Sequence, residues 1–224
     1  MMTWSQMSFP DMNSPIMEQM AFFHDHSMTI IISITIITMY MITNITMNLF
    51  SSRSLTESQE IEMIWTLIPA ITLIFIAMPS LHLLYLTDEI LHSQTSIKII
   101  GHQWFWSYEY SDFKKEFDSF MIPEEEMTKS SFRLIETDNN LVIPINTMIK
   151  FLITSADVIH SWTIPSLGMK MDAIPGRLNQ TSANTKRPGM FFGQCSEICG
   201  TNHSFMPISM EVMNMTNFMK FILN

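Results

Sequence analysis

The chain has 224 residues, with 12 lysines and arginines against 21 aspartates and glutamates, and a formal net charge of -9. This acidic balance argues against a nucleic-acid binder, because such proteins displace counterions from phosphates with clustered basic residues. Two cysteines are too few for a scaffold held together by several disulfides. Only 15% of the residues are charged, against roughly 25% in an average soluble domain. The position of the uncharged stretches therefore decides the class of protein.

Charge is absent from two long stretches in the first half of the chain, residues 27–47 and residues 63–87. At about 1.5 Å rise per residue, a helix over either stretch matches the roughly 30 Å hydrocarbon core of a bilayer. We therefore predict transmembrane helices at 27–47 and 62–87, joined by a loop at 48–61. A pair of buried strands is the alternative for the first stretch, but no glycine, proline or aspartate interrupts it.

The flanking residues predict how this hairpin lies in the membrane. Residues 1–26 contain no lysine or arginine, so they do not have the pattern of a signal peptide or a mitochondrial import sequence. Arg53, the basic residue of the short loop, places that loop on the inner side. Both termini are then expected on the outer side. Pro69 and Pro79 each free a helical carbonyl, which a neighbouring helix can satisfy.

The composition changes after the second span, because every glycine and eleven of the twelve basic residues lie beyond Ser93. The apolar runs of residues 88–224 are short, rich in β-branched and aromatic residues, and separated by Pro, Gly, Asn and Asp. Such runs predict one all-β sandwich or barrel. They are IKIIG, QWFWSYEY, SFRLIET, LVIPI, MIKFLITS, HSWTIP, GMFFGQ and PISMEVM.

Metal-binding side chains are concentrated near the C-terminus. Cys195, Cys199, His203 and Met206 fall within twelve residues, and both cysteines of the chain are among them. Thiolates and thioethers are soft ligands that select copper, whereas zinc sites rarely use methionine and magnesium or calcium sites need oxygen. The segment therefore predicts a copper site. One thiolate suffices for a mononuclear site, and two thiolates can bridge two metal ions.

A second imidazole is expected from an earlier strand, because copper sites in β-barrels join one early ligand to a late ligand loop. His160, at the end of an apolar stretch, is the best candidate among seven histidines. A lone histidine in such a place is more often structural, but its pairing with the later cluster favours a ligand. The alternative for the two cysteines is a disulfide, which leaves His203 and Met206 unexplained.

At this point several segments carry a family resemblance: QCSEICGTNHSFMP, DVIHSWTIPSLGMKMDAIPGRLNQ, GHQWFWSYEY, QEIEMIWTLIPA and SPIMEQMAFFHDH. Together, from about Ser14 to Glu211, they resemble the mitochondrial cytochrome c oxidase subunit II family. The resemblance implies a two-helix transmembrane hairpin followed by an all-β, cupredoxin-like Greek-key barrel. It places the loop at 48–61 in the matrix, and residues 88–224 and both termini in the intermembrane space, on a multi-pass protein of the mitochondrial inner membrane.

The resemblance also implies a ligand set for a dinuclear copper centre. Two copper ions would share Cys195 and Cys199 as bridging thiolates, with His160 and His203 as terminal imidazoles and Met206 as a weak ligand. The backbone carbonyl of Glu197 would complete one copper. The Glu197 side chain would bind a magnesium ion shared with subunit I.

The function implied by the resemblance is electron input to an oxidase. The family accepts electrons from cytochrome c and passes them to the haem and copper of subunit I, where oxygen is reduced and protons are pumped. Trp104 would be the point where electrons enter, and Glu62 would lie at the entrance of a proton path. A helix-start carboxylate is an equally good interpretation of Glu62. Subunit I, other oxidase subunits, cytochrome c and membrane lipid are the implied partners.

Alternation along GHQWFWSYEY, taken as one strand, puts five rings on one face. These rings are His102, Trp104, Trp106, Tyr108 and Tyr110. Apart from the implied role of Trp104, such a face is typical of a core.

Acidic residues near this segment could steer a basic partner, although an ordinary solvated surface is the alternative. They are Glu109, Asp112, Asp118, Asp138 and Asp157. Lys114 and Lys115 depart from the pattern, because this stretch is acidic in well-known relatives.

Three other functions fit parts of the sequence. A quinol oxidase subunit II shares the hairpin and barrel but lacks the copper ligands. A membrane-anchored copper-delivery protein also has two cysteines at this spacing, but its third ligand is a histidine far downstream. A secreted, non-catalytic scaffold would make Asn179, Asn202 and Asn214 glycosylation sites. A glycan on Asn202 would conflict with a metal ligand at the adjacent His203.

Overall fold

The computed structural model describes residues 5–50, 52–54, 56–89 and 92–223. These residues divide into two compact units. The hairpin unit comprises Gln19–Thr87. The β-domain unit combines the described residues up to Glu18 with those from Asp88 onward.

Two long helices precede the strands, α1 (Pro15–Met47) and α2 (Gln59–Asp88). Each is long and apolar enough to cross a membrane, and its most apolar window has no buried residue. α1 begins well before the uncharged stretch because Ser14 caps it, with the Ser14 hydroxyl accepting from the Met17 N–H at 3.0 Å. Pro15 then occupies the first turn, where no helical N–H is needed.

Polar groups of the hairpin find partners inside it. Hydroxyls of α1 donate to carbonyls one turn back, as in Thr29 to Asp25 at 2.8 Å and Ser33 to Thr29 at 2.7 Å. Pro79 has no N–H for the carbonyl of Phe75, four residues earlier. The His26 ring of α1 donates to this carbonyl instead, at 3.2 Å. The expectation that a neighbouring helix satisfies a proline-freed carbonyl is thus met at Pro79.

The β-domain is built from strands in three sheets, which agrees with the predicted all-β class. The five-stranded sheet has the order β3-β2-β1-β5-β8, the three-stranded sheet β4-β10-β9, and the remaining pair is β6-β7. β1 pairs with β5 and β4 with β10 in parallel, and the other pairs are antiparallel. The strands are β1 Thr95–His102, β2 Phe105–Tyr110, β3 Lys115–Ser119, β4 Leu141–Pro144, β5 Met148–Ser155, β6 His160–Ile164, β7 Met169–Ala173, β8 Asn179–Asn184, β9 Gly189–Gln194 and β10 Pro207–Met213.

The prediction of one aromatic strand at GHQWFWSYEY is wrong. The chain turns at Gln103 and Trp104, so that His102 ends β1 and pairs with Phe105, the first residue of β2. Trp106, Tyr108 and Tyr110, which alternate along β2, are fully buried, as predicted for a core face. The turn escaped prediction because Gln-Trp contains none of the residues that favour tight turns.

Two further features differ from the predicted strands. SFRLIET forms turns at residues 131–137, whereas β3, β7 and β8 come from more polar segments. A C-terminal helix, α3 (Met215–Leu223), packs Phe218 and Phe221 on the ring of Tyr110. Lys115 donates a hydrogen bond to the Phe221 carbonyl near the end of α3 and lies 4.0 Å from the centre of the Phe221 ring. Lys115 therefore has a structural partner within the β-domain.

The segment before α1 is fastened to the β-domain. Asn13 is fully buried, and its N–H donates to the Ser166 carbonyl at 2.8 Å. The Ser14 hydroxyl donates to the Leu167 carbonyl at 2.6 Å. Lys186 pairs with Glu18 at 2.7 Å. These contacts explain why the residues up to Glu18 belong to the same unit as the strands.

Gly193 permits an unusually close contact between β9 and β6. A Cβ atom at Gly193 would lie 1.8 Å from the Thr163 carbonyl oxygen, closer than any side chain can approach backbone. We therefore expect Gly193→Ala to lower the free energy of unfolding by about 3 kcal/mol, because β9 must move away from β6. Thermal unfolding of the chain in detergent, followed by circular dichroism, measures the change.

Gly176→Ala is the matched control. A Cβ atom there meets nothing within 4 Å, and only its positive φ of 73° is unfavourable for alanine, which costs roughly 1–2 kcal/mol. Equal destabilisation by the two substitutions would show that the contact of β9 with β6 is not tight.

Candidate metal centre

The ligand-rich segment is the loop between β9 and β10. It runs from Cys195 to Met206 and contains a short 3-10 helix, His203–Phe205. Strand β6 begins at His160 and lies beside the start of this loop. The Ser196 N–H donates to the Ser161 carbonyl at 3.0 Å, which joins the loop to the strand. His160 is thereby placed next to Cys195 although 35 residues separate them.

The structure brings all six predicted copper-ligand residues into one chain of close contacts. The two sulfurs lie 4.0 Å apart, and both thiols are free. Cys195 Sγ is 3.9 Å from His160 Nδ1 and 3.3 Å from the Glu197 carbonyl oxygen. Cys199 Sγ is 3.3 Å from His203 Nδ1 and 3.5 Å from the Met206 sulfur. Each sulfur therefore has one imidazole beside it and one further donor atom.

Most of this cluster is shielded from water. His160 is fully buried, and Cys195, Cys199 and Met206 are buried too. The donor atoms of His160 and the two cysteines lie within 4.8 Å of one another. His203 and Glu197 are half-buried, so the cluster meets solvent on their side. Two thiols, two imidazoles and a thioether form a soft donor set that fits copper.

The surrounding protein groups shift the pKa values of the two thiols in opposite directions. Burial raises the pKa of Cys195, but hydrogen bonds with His160 and with the backbone of Ser161 and Glu197 outweigh burial and lower that pKa to about 7. Burial raises the pKa of Cys199 to about 12, and the nearby charge of Cys195 adds to the effect. The protein therefore favours one thiolate and one thiol.

His160 is held between a thiol and a carboxylate. Its Nε2 lies 2.9 Å from Asp157 Oδ1, while Nδ1 faces Cys195. Burial lowers the pKa of His160, but the hydrogen bonds with Cys195 and Asp157 outweigh burial, and the pKa is raised. Burial likewise raises the pKa of Asp157, yet its bonds with His160 and with the N–H groups of Val158 and Gln103 lower it overall. Such carboxylate support fixes the orientation of a metal-binding imidazole.

Trp104 lies against the ligand loop. A Cβ atom at Gly200 would be 3.1 Å from Trp104 Cζ2 and 3.3 Å from its Nε1, so the indole rests on the residue after Cys199. The ring is half-buried, and its Nε1 has no hydrogen-bond partner within the described residues. Sequence reasoning chose this tryptophan by resemblance, and the structure puts it beside a predicted ligand segment.

Glu62 lies in the other unit. It occupies the first turn of α2 with an exposed side chain, and its N–H donates to the Ser58 carbonyl at 3.1 Å. This position also fits a helix-start carboxylate.

The steering acids have local partners, and one belongs to the site. Lys98 pairs with Glu109 at 2.8 Å, and the Ser107 hydroxyl donates to Asp118 at 2.6 Å. Asp112 and Asp138 accept backbone N–H groups. Asp157 is bound to His160 and is not an ordinary surface residue.

Two residues shape the space around His160, and their role there was not apparent from the sequence. A Cβ atom at Gly101 would lie 2.9 Å from His160 Cδ2, so only glycine lets the imidazole rest on β1. Trp106 meets the His160 ring edge-on, with ring centres 5.8 Å apart, and its Nε1 donates to the Met206 carbonyl at 3.3 Å. The glycine gave no sign in the sequence, because the contact joins segments about 60 residues apart.

The thiol pKa values can be tested after chelation of bound metal. We expect the ultraviolet absorbance of thiolate in the full chain to rise through pH 7 as Cys195 ionises, whereas Cys199 stays protonated to far higher pH. Cys195→Ser should abolish the step near pH 7, and Cys199→Ser should preserve it. A single transition of both thiols at about pH 8.5, the value of an unperturbed cysteine, would contradict this arrangement.

Comparison with known proteins covers almost the whole chain. Residues 95–213 match the family model for the periplasmic domain of cytochrome c oxidase subunit II, and residues 2–83 match its transmembrane domain. Cytochrome c oxidase subunit 2 of Rhipicephalus sanguineus is 76% identical over 222 residues, which are 99% of each chain.

Solved structures agree with these matches. The periplasmic domain of subunit II of the Bradyrhizobium japonicum cytochrome oxidase is 43% identical, with a TM-score of 0.56, over 60% of this chain and 95% of that chain. A mixed-disulfide intermediate of a thioredoxin-like protein with subunit II of cytochrome c oxidase is 42% identical, with a TM-score of 0.53, over 61% of this chain and 93% of that chain. From its helical hairpin to its ligand loop, the chain belongs to the cytochrome c oxidase subunit II family.

Proposed function

We propose that this chain is the electron-input subunit of a mitochondrial cytochrome c oxidase. It accepts electrons from cytochrome c at a dinuclear copper centre in the β-domain and passes them to the haem and copper of subunit I, where oxygen is reduced and protons are pumped. The convergence of two thiols with two imidazoles and a thioether, largely out of water, carries this proposal. A structural zinc site, which binds cysteine, histidine and carboxylate ligands, would leave the Met206 thioether beside Cys199 without a role.

In this proposal, Cys195 and Cys199 would hold the two copper ions as shared thiolate ligands, and His160 and His203 would be the terminal ligands. Met206 and the carbonyl of Glu197 are the weaker ligands. When bound, the copper pair supplies a site that takes up and releases one electron. The protein holds these donors between β6, β9 and β10, so their positions change little with the charge of the site. Because the donor atoms move little when an electron is gained or lost, electron transfer is fast.

The surface above the ligand loop is the proposed contact with cytochrome c. Trp104 rests on Gly200 and connects the half-exposed surface with the Cys199 segment. Acidic groups nearby favour the approach of a basic protein. The charge of Glu109 is partly offset by Lys98 at 2.8 Å.

Glu197 is proposed to serve a second ion. Its carbonyl faces Cys195 Sγ, while its half-buried side chain leaves oxygen atoms for magnesium, which prefers such ligands. Subunit I would supply the remaining ligands. Glu62 is proposed to lie at the entrance of a proton path into the same subunit.

The membrane arrangement follows the predicted hairpin. Residues 27–47 and 62–87 cross the mitochondrial inner membrane in contact with lipid and other oxidase subunits, and residues 48–61 face the matrix. Residues 1–26 and 88–224 lie in the intermembrane space. Hydrogen bonds from Asn13 and Ser14 to Ser166 and Leu167 support this, because residues on both sides of the hairpin pack together.

Specific observations disfavour the alternatives. A quinol oxidase subunit II binds no copper, so it would not need the assembled donors. A copper-delivery protein has its histidine ligand far downstream, so it would not need His203 at 3.3 Å from Cys199. The sulfur separation of 4.0 Å shows that no disulfide joins the cysteines.

Copper binding tests the proposal directly. The assembled oxidase should contain two copper ions per copy of this chain beyond the copper of subunit I, and electron paramagnetic resonance should show one spin shared over two nuclei. Cys199→Ser should abolish the shared spin because it removes one bridge. Met206→Leu is the matched control, since both bridges remain and only the redox potential should shift. One copper, or none after reconstitution, would refute the dinuclear centre.

Electron input through Trp104 is tested by rapid mixing with reduced cytochrome c. Trp104→Phe should slow reduction of the copper centre roughly tenfold or more, which corresponds to about 1.4 kcal/mol of activation free energy. Trp65→Phe makes the same chemical change in α2 and should leave the rate unchanged. An unaltered rate in Trp104→Phe, with the copper spectrum intact, would remove Trp104 from the electron path.

A further inference from the structure

The two-residue turn between β1 and β2 contacts both segments that carry predicted copper ligands. The side-chain amide of Gln103 donates to the Cys199 carbonyl at 2.8 Å, inside the ligand loop. The backbone N–H of the same residue donates to Asp157 Oδ2 at 2.7 Å. Gln103 thus spans from the carboxylate beside His160 to the peptide that follows Cys199.

The carboxylate at the other end of this span is itself tightly held. Asp157 Oδ1 accepts from the Val158 N–H at 2.6 Å, lies 3.3 Å from the Ser155 hydroxyl, and lies 2.9 Å from His160 Nε2. With Nε2 donating to the carboxylate, His160 presents Nδ1 as the lone-pair nitrogen toward Cys195. A displacement of Asp157 would therefore rotate the imidazole.

The walls around His160 leave it little freedom to adjust. The ring lies against Gly101 on one side, where even a Cβ atom would be 2.9 Å away, and against the edge of Trp106. The Ser155 hydroxyl, which also bonds the Gly101 carbonyl at 3.2 Å, ties the same strand end to the Asp157 turn. Two side chains reach from here to the ligand loop, since Trp106 donates to the Met206 carbonyl and Gln103 donates to the Cys199 carbonyl.

We propose that Gln103 is a positioning residue that couples the orientation of His160, through Asp157, to the position of Cys199. The hydrogen bonds of Gln103 form a bridge that fixes the separation between the segment that carries His160 and the loop that carries Cys199, although Gln103 is not itself a ligand. This proposal rests on the proposed dinuclear copper centre, and it assigns to Gln103 the task of keeping that centre the same in both oxidation states. Donors held in this way resist both copper loss and distortion.

Gln103→Met in the assembled oxidase tests the bridge. Methionine has similar length and volume and keeps the backbone N–H for Asp157, but it cannot donate to the Cys199 carbonyl. We expect two coppers still to bind, with a shifted redox potential, altered copper hyperfine splitting and roughly ten- to hundred-fold faster loss of copper to a chelator. Gln180→Met, at an exposed position of β8, is the matched control and should change none of these.

Two further variants keep the test decisive. If Gln103→Met does not assemble, Gln103→Leu also removes the donor without adding a charge, and should give the same changes. Asp157→Leu combined with Gln103→Met should release copper more slowly than the product of the two single effects predicts, because both act through one bridge. Unchanged potential, splitting and release rate in the Gln103 variants would overturn the proposal. Absence of a copper pair in the unaltered oxidase would instead refute the dinuclear centre itself, and the bridge with it.

Discussion

The candidate site depends on the close approach of β9 to β6. Gly193 lies so near the Thr163 carbonyl that no side chain fits between them, and the Ser196 N–H then bonds the Ser161 carbonyl at 3.0 Å. These contacts fix where the ligand loop leaves the barrel. His160, at the start of β6, is thereby beside the first residue of the loop. The backbone of the barrel thus positions the first donor of the loop, Cys195, beside His160.

The same geometry creates an electrostatic conflict that a bound metal resolves. Hydrogen bonds with His160 and the backbone lower the pKa of Cys195 to about 7, whereas burial and the repulsion from a Cys195 thiolate 4.0 Å away raise the pKa of Cys199 to about 12. Cations that bind both sulfurs reverse the second shift, because a coordinating thiol gives up its proton. Copper loading should therefore release the Cys199 proton.

The parts that could be predicted from the sequence are those with local signals. Hydropathy over two long uncharged stretches predicted the helices, and four donors within one segment predicted a cluster of metal-binding side chains. Some of the missed parts depend on contacts distant in sequence. Gly101 against His160 and the turn at Gln103 are set by partners that no local pattern reveals, whereas the helix α3 packed on Tyr110 has apolar residues at helical spacing that could have indicated it. Strands β3, β7 and β8 are short, and buried positions of β3 and β8 include the polar residues Ser119 and Ser182, so no apolar run marks them.

The packing of the N-terminal segment gives a reason for the order of the elements. Asn13 and Ser14 bind the carbonyls of Ser166 and Leu167, in the short helix that follows β6, and β6 carries His160. The chain therefore enters α1 directly from residues packed on the strands of the β-domain, and it returns to the β-domain after α2. A domain boundary drawn from composition alone starts at residue 88 and leaves this segment out. Both connections to the hairpin therefore belong to one compact unit.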